Sequence, residues 1–293
     1  MHSRTSIARF TRFARITRFA RISRFALIGS TIMIPAVAHA QGSAYASAAE
    51  VAPAPVPALT PGYLPLPAWD AASVPFGVGE LAEYEVRFGA VRVGSATTKV
   101  EGIENVRGIP AWHTVFTLKG GTFFYHVNDV FESWFDRATF NSLRFYQTQE
   151  EGHSDRQKRY EIYPDKGTYV EMDKHPPREH PGERDPLDDG SFLFFLRTVP
   201  LEVGKVYESN RYFRPERNPI RIRVLRKETI EVPAGKFNCI VVQPVIKTKG
   251  IFSENGNAEV WITDDPRHVV VQLKSKLSFG SINLYLKSYK AGS

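Results

Sequence analysis

Metal chemistry would begin at His175 and His180, which lie five residues apart with Glu179 between them and Asp185, Asp188 and Asp189 downstream. A zinc site needs imidazole and carboxylate groups converging on one point, and this spacing matches none of the strong patterns such as HExxH. Pro176, Pro177 and Pro181 also keep the two imidazoles from sharing a helix face. The segment reads as a solvated loop whose aspartates cap the next helix, and no metal site is expected. Asp264-Asp265 and Glu254-Asn255-Gly256-Asn257 carry oxygen ligands but lack the alternating acidic spacing of a calcium loop, and they read as turns. Ser95, Ser191 and Ser281 follow glycines, yet none sits in a G-x-S-x-G elbow. No glycine-rich phosphate cradle stands between a strand and a helix, so no nucleotide cofactor is expected. Paired carboxylates for glycoside hydrolysis could be drawn from Glu132, Asp136, Glu150, Glu151, Asp264 or Asp265, but the separation that decides that chemistry is not legible in a sequence. The one cysteine, Cys239, lies in the apolar run Phe237 to Val242, where nothing nearby would stabilise a thiolate. The reading is therefore non-enzymatic, without cofactor.

What stands out instead is aromatic density. Phe116, Phe123, Phe124, Tyr125, Phe131, Trp134, Phe135, Phe140, Phe145 and Tyr146 crowd one stretch of strand-like sequence. Sheets favour aromatics, and a curved single-layer sheet needs bulky filling, so these side chains form a core or line an apolar cleft. Under the second reading the lining candidates are Phe116, Phe124, Phe131, Trp134 and Phe145 from strands, with Phe192 and Phe195 from a helix. Only one of each neighbouring pair on a strand can point inward.

The elements that would position them are mostly strands. In Leu81 to Phe88 the even positions carry Ala, Tyr, Val and Phe and most odd ones are charged, the pattern of a strand with one wet face. The same period recurs in Ile220 to Val224 and, less cleanly, in four other runs. Turn sequences such as Phe88-Gly89, Lys119-Gly120-Gly121 and Pro164-Asp165-Lys166-Gly167 separate them. With no helix between consecutive runs, about 11–13 strands should pair antiparallel as meanders. One helix is expected over residues 189 to 199, capped by Asp188 or Asp189. Its Phe192-Leu193-Phe194-Phe195-Leu196 run is apolar all round, so it should be buried. The fold class is mainly β: a large antiparallel curved sheet, half-barrel or sandwich, wrapped around one buried helix. Residues 174 to 186, polar and proline-rich, read as a rim loop.

The basic balance, 38 Lys plus Arg against 31 Asp plus Glu, belongs to one end of the chain. Arg4, Arg9, Arg12, Arg15, Arg18, Arg21 and Arg24 precede residue 41 with no acidic residue among them, so 38 less these 7 leaves a formally neutral remainder. A neutral body lacks the counterion-releasing surface that nucleic acid binding needs. The arginines lead into the apolar run Phe25 to Val37, shorter than the roughly 20 residues of a membrane-crossing helix, and then Ala38-His39-Ala40. This is a signal peptide over 1–40, cleaved after Ala40. Gln41 gives no lipid-anchoring cysteine, and no adjacent arginine pair marks a twin-arginine signal. The mature chain is expected to be periplasmic or secreted, with no transmembrane segment. Residues 41–75, rich in Ala and Pro, form a linker, and 76–293 form one β-rich domain.

Phe76-Gly77-Val78-Gly79-Glu80-Leu81, the Ala90 to Ala96 stretch with Gly94, the Asp185 to Arg197 segment, Val232-Pro233-Ala234-Gly235-Lys236-Phe237 and Val260 to Asp265 together resemble the bacterial exported family called domain of unknown function 3108. The resemblance covers roughly residues 76 to 290. It implies a mainly β periplasmic domain and brings no catalytic residues. A wide sheet around a helix also looks like the periplasmic lipoprotein carriers, an analogy of architecture alone. The functional reading is a non-enzymatic binder of an apolar or amphiphilic envelope ligand such as a lipid. The rivals are an envelope assembly factor that binds a protein through a sheet edge or the 174–186 loop, and a hydrolase of envelope polymers.

Overall fold

The computed structural model describes residues 62–65, 70–71, 74–122, 125–247, 258–277 and 280–293. The leader, most of the Ala/Pro-rich stretch, Phe124 and the Glu254–Asn257 segment lie outside the described residues. The chain first lays down a meander: β2 (Leu81–Phe88), β3 (Val91–Val106), β4 (Ile109–Thr122), β5 (Tyr125–Asp136), β6 (Ser142–Glu151), β7 (Ser154–Tyr163), β8 (Thr168–Glu171) and β9 (Arg178–Pro181). A helix, α1 (Asp189–Phe195), follows and tightens into a 3-10 turn over Leu196–Thr198. A second meander is built of β10 (Val206–Ser209), β11 (Ile220–Val232), β12 (Gly235–Val245), β13 (Glu259–Thr263), β14 (Val270–Leu277) and β15 (Gly280–Lys290). β15 then pairs antiparallel with β2, which joins both meanders into one 15-stranded sheet. At its far edge β1 (Leu64–Pro65) pairs parallel with β10. A proline is tolerated at such an edge.

The strand count exceeds the expected range because β1, β8, β9 and β10 are two to four residues long, too short for alternation to register. β9 lies inside the 174–186 segment read as loop; its Glu179 pairs with Val170 and its His180 with Tyr169. Longer strands follow their sequence period. Ala82, Tyr84 and Val86 are buried while Glu83, Glu85 and Arg87 occupy the other face.

Where β3 crosses β4, Gly94 faces Gly120. A Cβ on Gly94 would lie 2.2 Å from the Lys119 carbonyl oxygen, and one on Gly120 would lie 2.4 Å from that of Val93. Both glycines are required by this backbone approach.

The sheet rolls until its two ends approach each other, bridged by residues 211–213 and not by strand pairing. Leu187 N–H donates to the Arg211 carbonyl and Phe213 N–H to that of Leu187. The Phe213 ring packs edge-on against Tyr160 and Tyr169 at 5.2 Å, and against Phe145 at 6.3 Å.

The antiparallel order puts the turns β3–β4, β5–β6 and β7–β8 at one end of the roll and β2–β3 and β6–β7 at the other. The first end is filled. Phe76 meets Trp112 at 5.3 Å and Phe194 at 5.0 Å, Phe135 meets Phe140 at 4.4 Å, and Phe140 meets Phe195 at 5.4 Å. α1 starts there in a capping box. Asp188 accepts from Gly190 N–H at 2.8 Å, Ser191 N–H at 2.9 Å and Ser133 Oγ–H at 2.7 Å. Burial pushes its carboxyl up to about 7 despite these bonds. Asp188→Ala is expected to cost about 1–2 kcal/mol as the cap is lost. Urea denaturation should show the loss, with Asp188→Asn recovering most of it.

Candidate functional site

Towards the other end the inner face of the sheet stands away from α1, enclosing a cavity of about 950 Å³. Its walls are the alternate residues of successive strands: Phe116 and Leu118 of β4, Asp129 and Phe131 of β5, Phe145, Gln147, Gln149 and Glu151 of β6, and Arg156, Lys158 and Tyr160 of β7. Leu273, Ile282 and Leu284 complete the apolar wall, and Leu193 and Phe194 of α1 form the floor. A sheet with period two delivers this composition because every second side chain points inward.

The structure separates the aromatic candidates. Phe116, Phe131 and Phe145 line the cavity. Phe124 lies outside the described residues. Trp134 is a correction: it is one residue out of phase with Phe131 and Ser133, so it lies on the outer face. There it stacks on His113 at 4.3 Å and donates its indole N–H to Glu104 at 2.8 Å. Phe192 and Phe195 are also corrected, since both are fully buried in the packed core and do not line the cavity. A helix presents one stripe to any given surface, and here Gly190, Leu193 and Phe194 face the space.

The polar groups of the cavity went unnoticed in the sequence because they are scattered along it. Arg156 and Lys158 come from β7, and Arg214, Glu216, Arg217 and Lys247 flank the start of β11 and the end of β12, at the end of the roll away from the packed aromatics. Arg156 pairs with Glu151 at 3.0 Å and Arg214 with Glu216 at 2.9 Å. Arg217 donates to the Tyr212 hydroxyl at 3.0 Å, which donates to Asp189 at 3.0 Å. Lys158 and Lys247 are in no ion pair among the described residues. Burial depresses the Lys158 ammonium below its ordinary value, and the Arg217, Arg214 and Arg156 cations reinforce that. Deeper in the wall Asp129 is 4% exposed and its Oδ1 accepts no hydrogen bond. Burial, then the nearby Glu151 carboxylate, pushes Asp129 up to about 6.

The other reactive types are engaged elsewhere. Glu150 accepts from Asn128, Asp136 caps its own turn, and Asp264 and Asp265 hold Lys227 and Arg267. Glu132 lies 3.4 Å from His113 on the outer face. His180 stacks on Tyr169 at 5.0 Å. Cys239 is buried, and burial raises its thiol to about 12, far from a nucleophilic thiolate. Among the described residues no group of three or more His, Cys, Asp or Glu is placed to hold a metal ion, and no helix is long and apolar enough to cross a membrane.

Fold and site together define an open antiparallel sheet rolled around a chamber, plugged at one end by a helix. Residues 83–287 match the profile of the family described as Protein of unknown function (DUF3108), and the chain belongs to that family. Among solved structures it is similar to a beta-barrel-like protein of domain of unknown function DUF1849 from Brucella abortus, at 9% identity and a TM-score of 0.49, covering 74% of this chain and 99% of that one. It is also similar to a candidate lipoprotein from Parabacteroides distasonis, at 10% identity and a TM-score of 0.33, covering 74% and 99%. A third similarity is to a candidate exported protein with a YmcC-like fold from Bacteroides fragilis, at 11% identity and a TM-score of 0.29, covering 78% and 98%. No curated protein matches.

Proposed function

We propose that this chain is an exported, non-enzymatic binding protein that takes an apolar or amphiphilic molecule of the cell envelope into the chamber between its sheet and its helix. The observation carrying this reading is the cavity itself. Its volume of about 950 Å³ falls within the roughly 300–1,000 Å³ typical of small-molecule sites, and like them it is mostly apolar with a few convergent polar groups. A sheet that needed these aromatics only as core would collapse onto them, as it does around Phe135, Phe140 and Phe195. Phe116 and Phe131 instead stack on each other at 5.9 Å and border open space. Export and cleavage after Ala40 belong to the same proposal, supported by the basic leader and its apolar run.

The test is native mass spectrometry of the protein purified from its own envelope, followed by solvent extraction and lipid analysis. A stoichiometric adduct of lipid mass is expected. Leu193→Trp, which keeps the helix apolar while filling the floor of the chamber, should reduce adduct occupancy at least tenfold with little change in stability. A clean mass for the wild-type chain, together with no uptake of a neutral long-chain probe in solution, would overturn the proposal and shift attention to a protein partner.

A further inference from the structure

The chamber is apolar along one wall and cationic at one end, a division that a wholly apolar cargo would not require. Arg156, Lys158, Arg214 and Arg217 come from opposite ends of the sheet, brought together where the roll nearly closes. Lys247 stands beside them, its backbone N–H donating to the Arg217 carbonyl at 3.4 Å. Crowded cations repel one another, so an arrangement that leaves Lys158 half-buried and outside any ion pair is held at a cost in the empty protein. An anion seated among them would relieve that cost. The lowered Lys158 ammonium fits the same crowding.

We propose that the ligand is an anionic amphiphile, its chain in the apolar chamber and its carboxylate or phosphate headgroup held by Lys158 together with Arg214 and Arg217. This rests on the chamber being a binding site and adds the headgroup class. Guanidinium groups suit an oxyanion because each offers parallel N–H donors, while Lys158 contributes a point charge. The glutamates already paired to Arg156 and Arg214 act as placeholders. Glu216 is exposed, so it can yield Arg214 to an incoming headgroup without leaving a buried charge behind. Phe116, Phe131, Leu273 and Leu284 would flank the chain below.

The experiment measures displacement of a neutral fluorescent long-chain probe from the full mature protein. The competitors are dodecyl phosphate, dodecanoate, dodecanol and inorganic phosphate. Wild-type protein is expected to bind the two anionic amphiphiles at least tenfold more tightly than dodecanol, and not to respond to inorganic phosphate. Lys158→Met combined with Arg214→Gln should remove that preference while leaving dodecanol affinity within twofold, which also shows that the variant is folded. Dodecanol binding as tightly as the anions to the wild type would overturn the headgroup assignment and leave the chamber reading standing. An unchanged preference in the variant would overturn the roles of these residues. Equal binding of inorganic phosphate would show a site for a free anion and overturn the amphiphile. Failure of the neutral probe itself to bind would fall on the chamber reading, and the headgroup assignment would fall with it.

Discussion

Arg197→Ala is expected to destabilise the folded protein by about 3–5 kcal/mol, the range for removing one partner of a buried ion pair. Arg197 and Glu80 are both nearly inaccessible, at 5% and 4% exposed, and meet in a bidentate pair at 2.6 and 3.1 Å. The other guanidinium donors are also used: Nε donates to the His268 carbonyl at 3.0 Å, and Nη2 to those of Pro75 at 2.9 Å and Arg267 at 3.0 Å. Tyr289 O–H donates to the same Glu80 carboxylate at 2.8 Å. One side chain at the end of the helical segment thus ties together the entry to the first meander, the turn before β14 and the last strand. Alanine would leave Glu80 charged in the interior and several carbonyls without donors. Glu80→Gln, which keeps an acceptor, should cost less. The double variant Arg197→Met with Glu80→Leu should recover the cost of the stranded carboxylate but not that of the carbonyls, so it should fall between wild type and Arg197→Ala. Equilibrium urea denaturation measures all three, and a loss below about 1 kcal/mol for Arg197→Ala would contradict the assignment of this cluster as the clamp of the fold.

That clamp was only partly legible in the sequence. Its members span residues 75 to 289, and nothing local distinguishes Glu80 or Arg197 from a solvated residue. The strands were legible because their signal is local: Tyr84 and Val86 against Glu85 and Arg87 repeat with period two and are buried accordingly. The helix was legible for the same reason, although its end was not. Leu196 to Thr198 tightens into a 3-10 turn, a change smaller than any sequence pattern specifies. Within the candidate site, aromatic density identified the region while phase decided the members. A single irregularity in register shifts which of two neighbours points inward, as between Trp134 and Phe135, where the β5–β6 pairing slips. The basic end of the chamber was hidden, since pairing of distant segments assembles it and the chain downstream of residue 40 is formally neutral. Leu193 and Phe194 were within reach: a buried helix beside a cavity must present one stripe to it, but which stripe depends on packing that a run apolar all round leaves open.

The second large effect concerns pH and centres on Asp129. Its carboxyl is driven up to about 6 by burial first and by Glu151 second, opposed by Arg156 and by hydrogen bonding from the neighbouring strand. An acid with a raised folded-state value keeps its proton where the unfolded chain has released it. The folded state then binds more protons over that interval, and stability falls as pH rises. For Asp129 the window runs from about pH 4, near the unfolded value, to about pH 6. Asp188, raised to about 7, extends the decline in the same direction. Below that window Glu104, Glu228 and Asp265 act oppositely. Glu104 and Glu228 are lowered first by the indole donors of Trp134 and Trp261, and Asp265 by Arg267 and Thr263 against its own burial, so their contributions are lost on further acidification. The protein should therefore be most stable near pH 4–5 and lose stability towards pH 8. Asp129→Asn should raise stability at pH 8 by on the order of 2 kcal/mol, about 1.4 kcal/mol for each unit of the shift it removes, and change little at pH 4. Urea denaturation of both proteins at pH 4, 6 and 8 checks this, and a gain of equal size at all three values would show a packing effect in place of a titration. The same substitution bears on the chamber. Asp129 lies in its wall beside Glu151, so a neutral side chain there should also strengthen binding of an anionic amphiphile at pH 8 more than at pH 5, where the native carboxyl is already largely protonated.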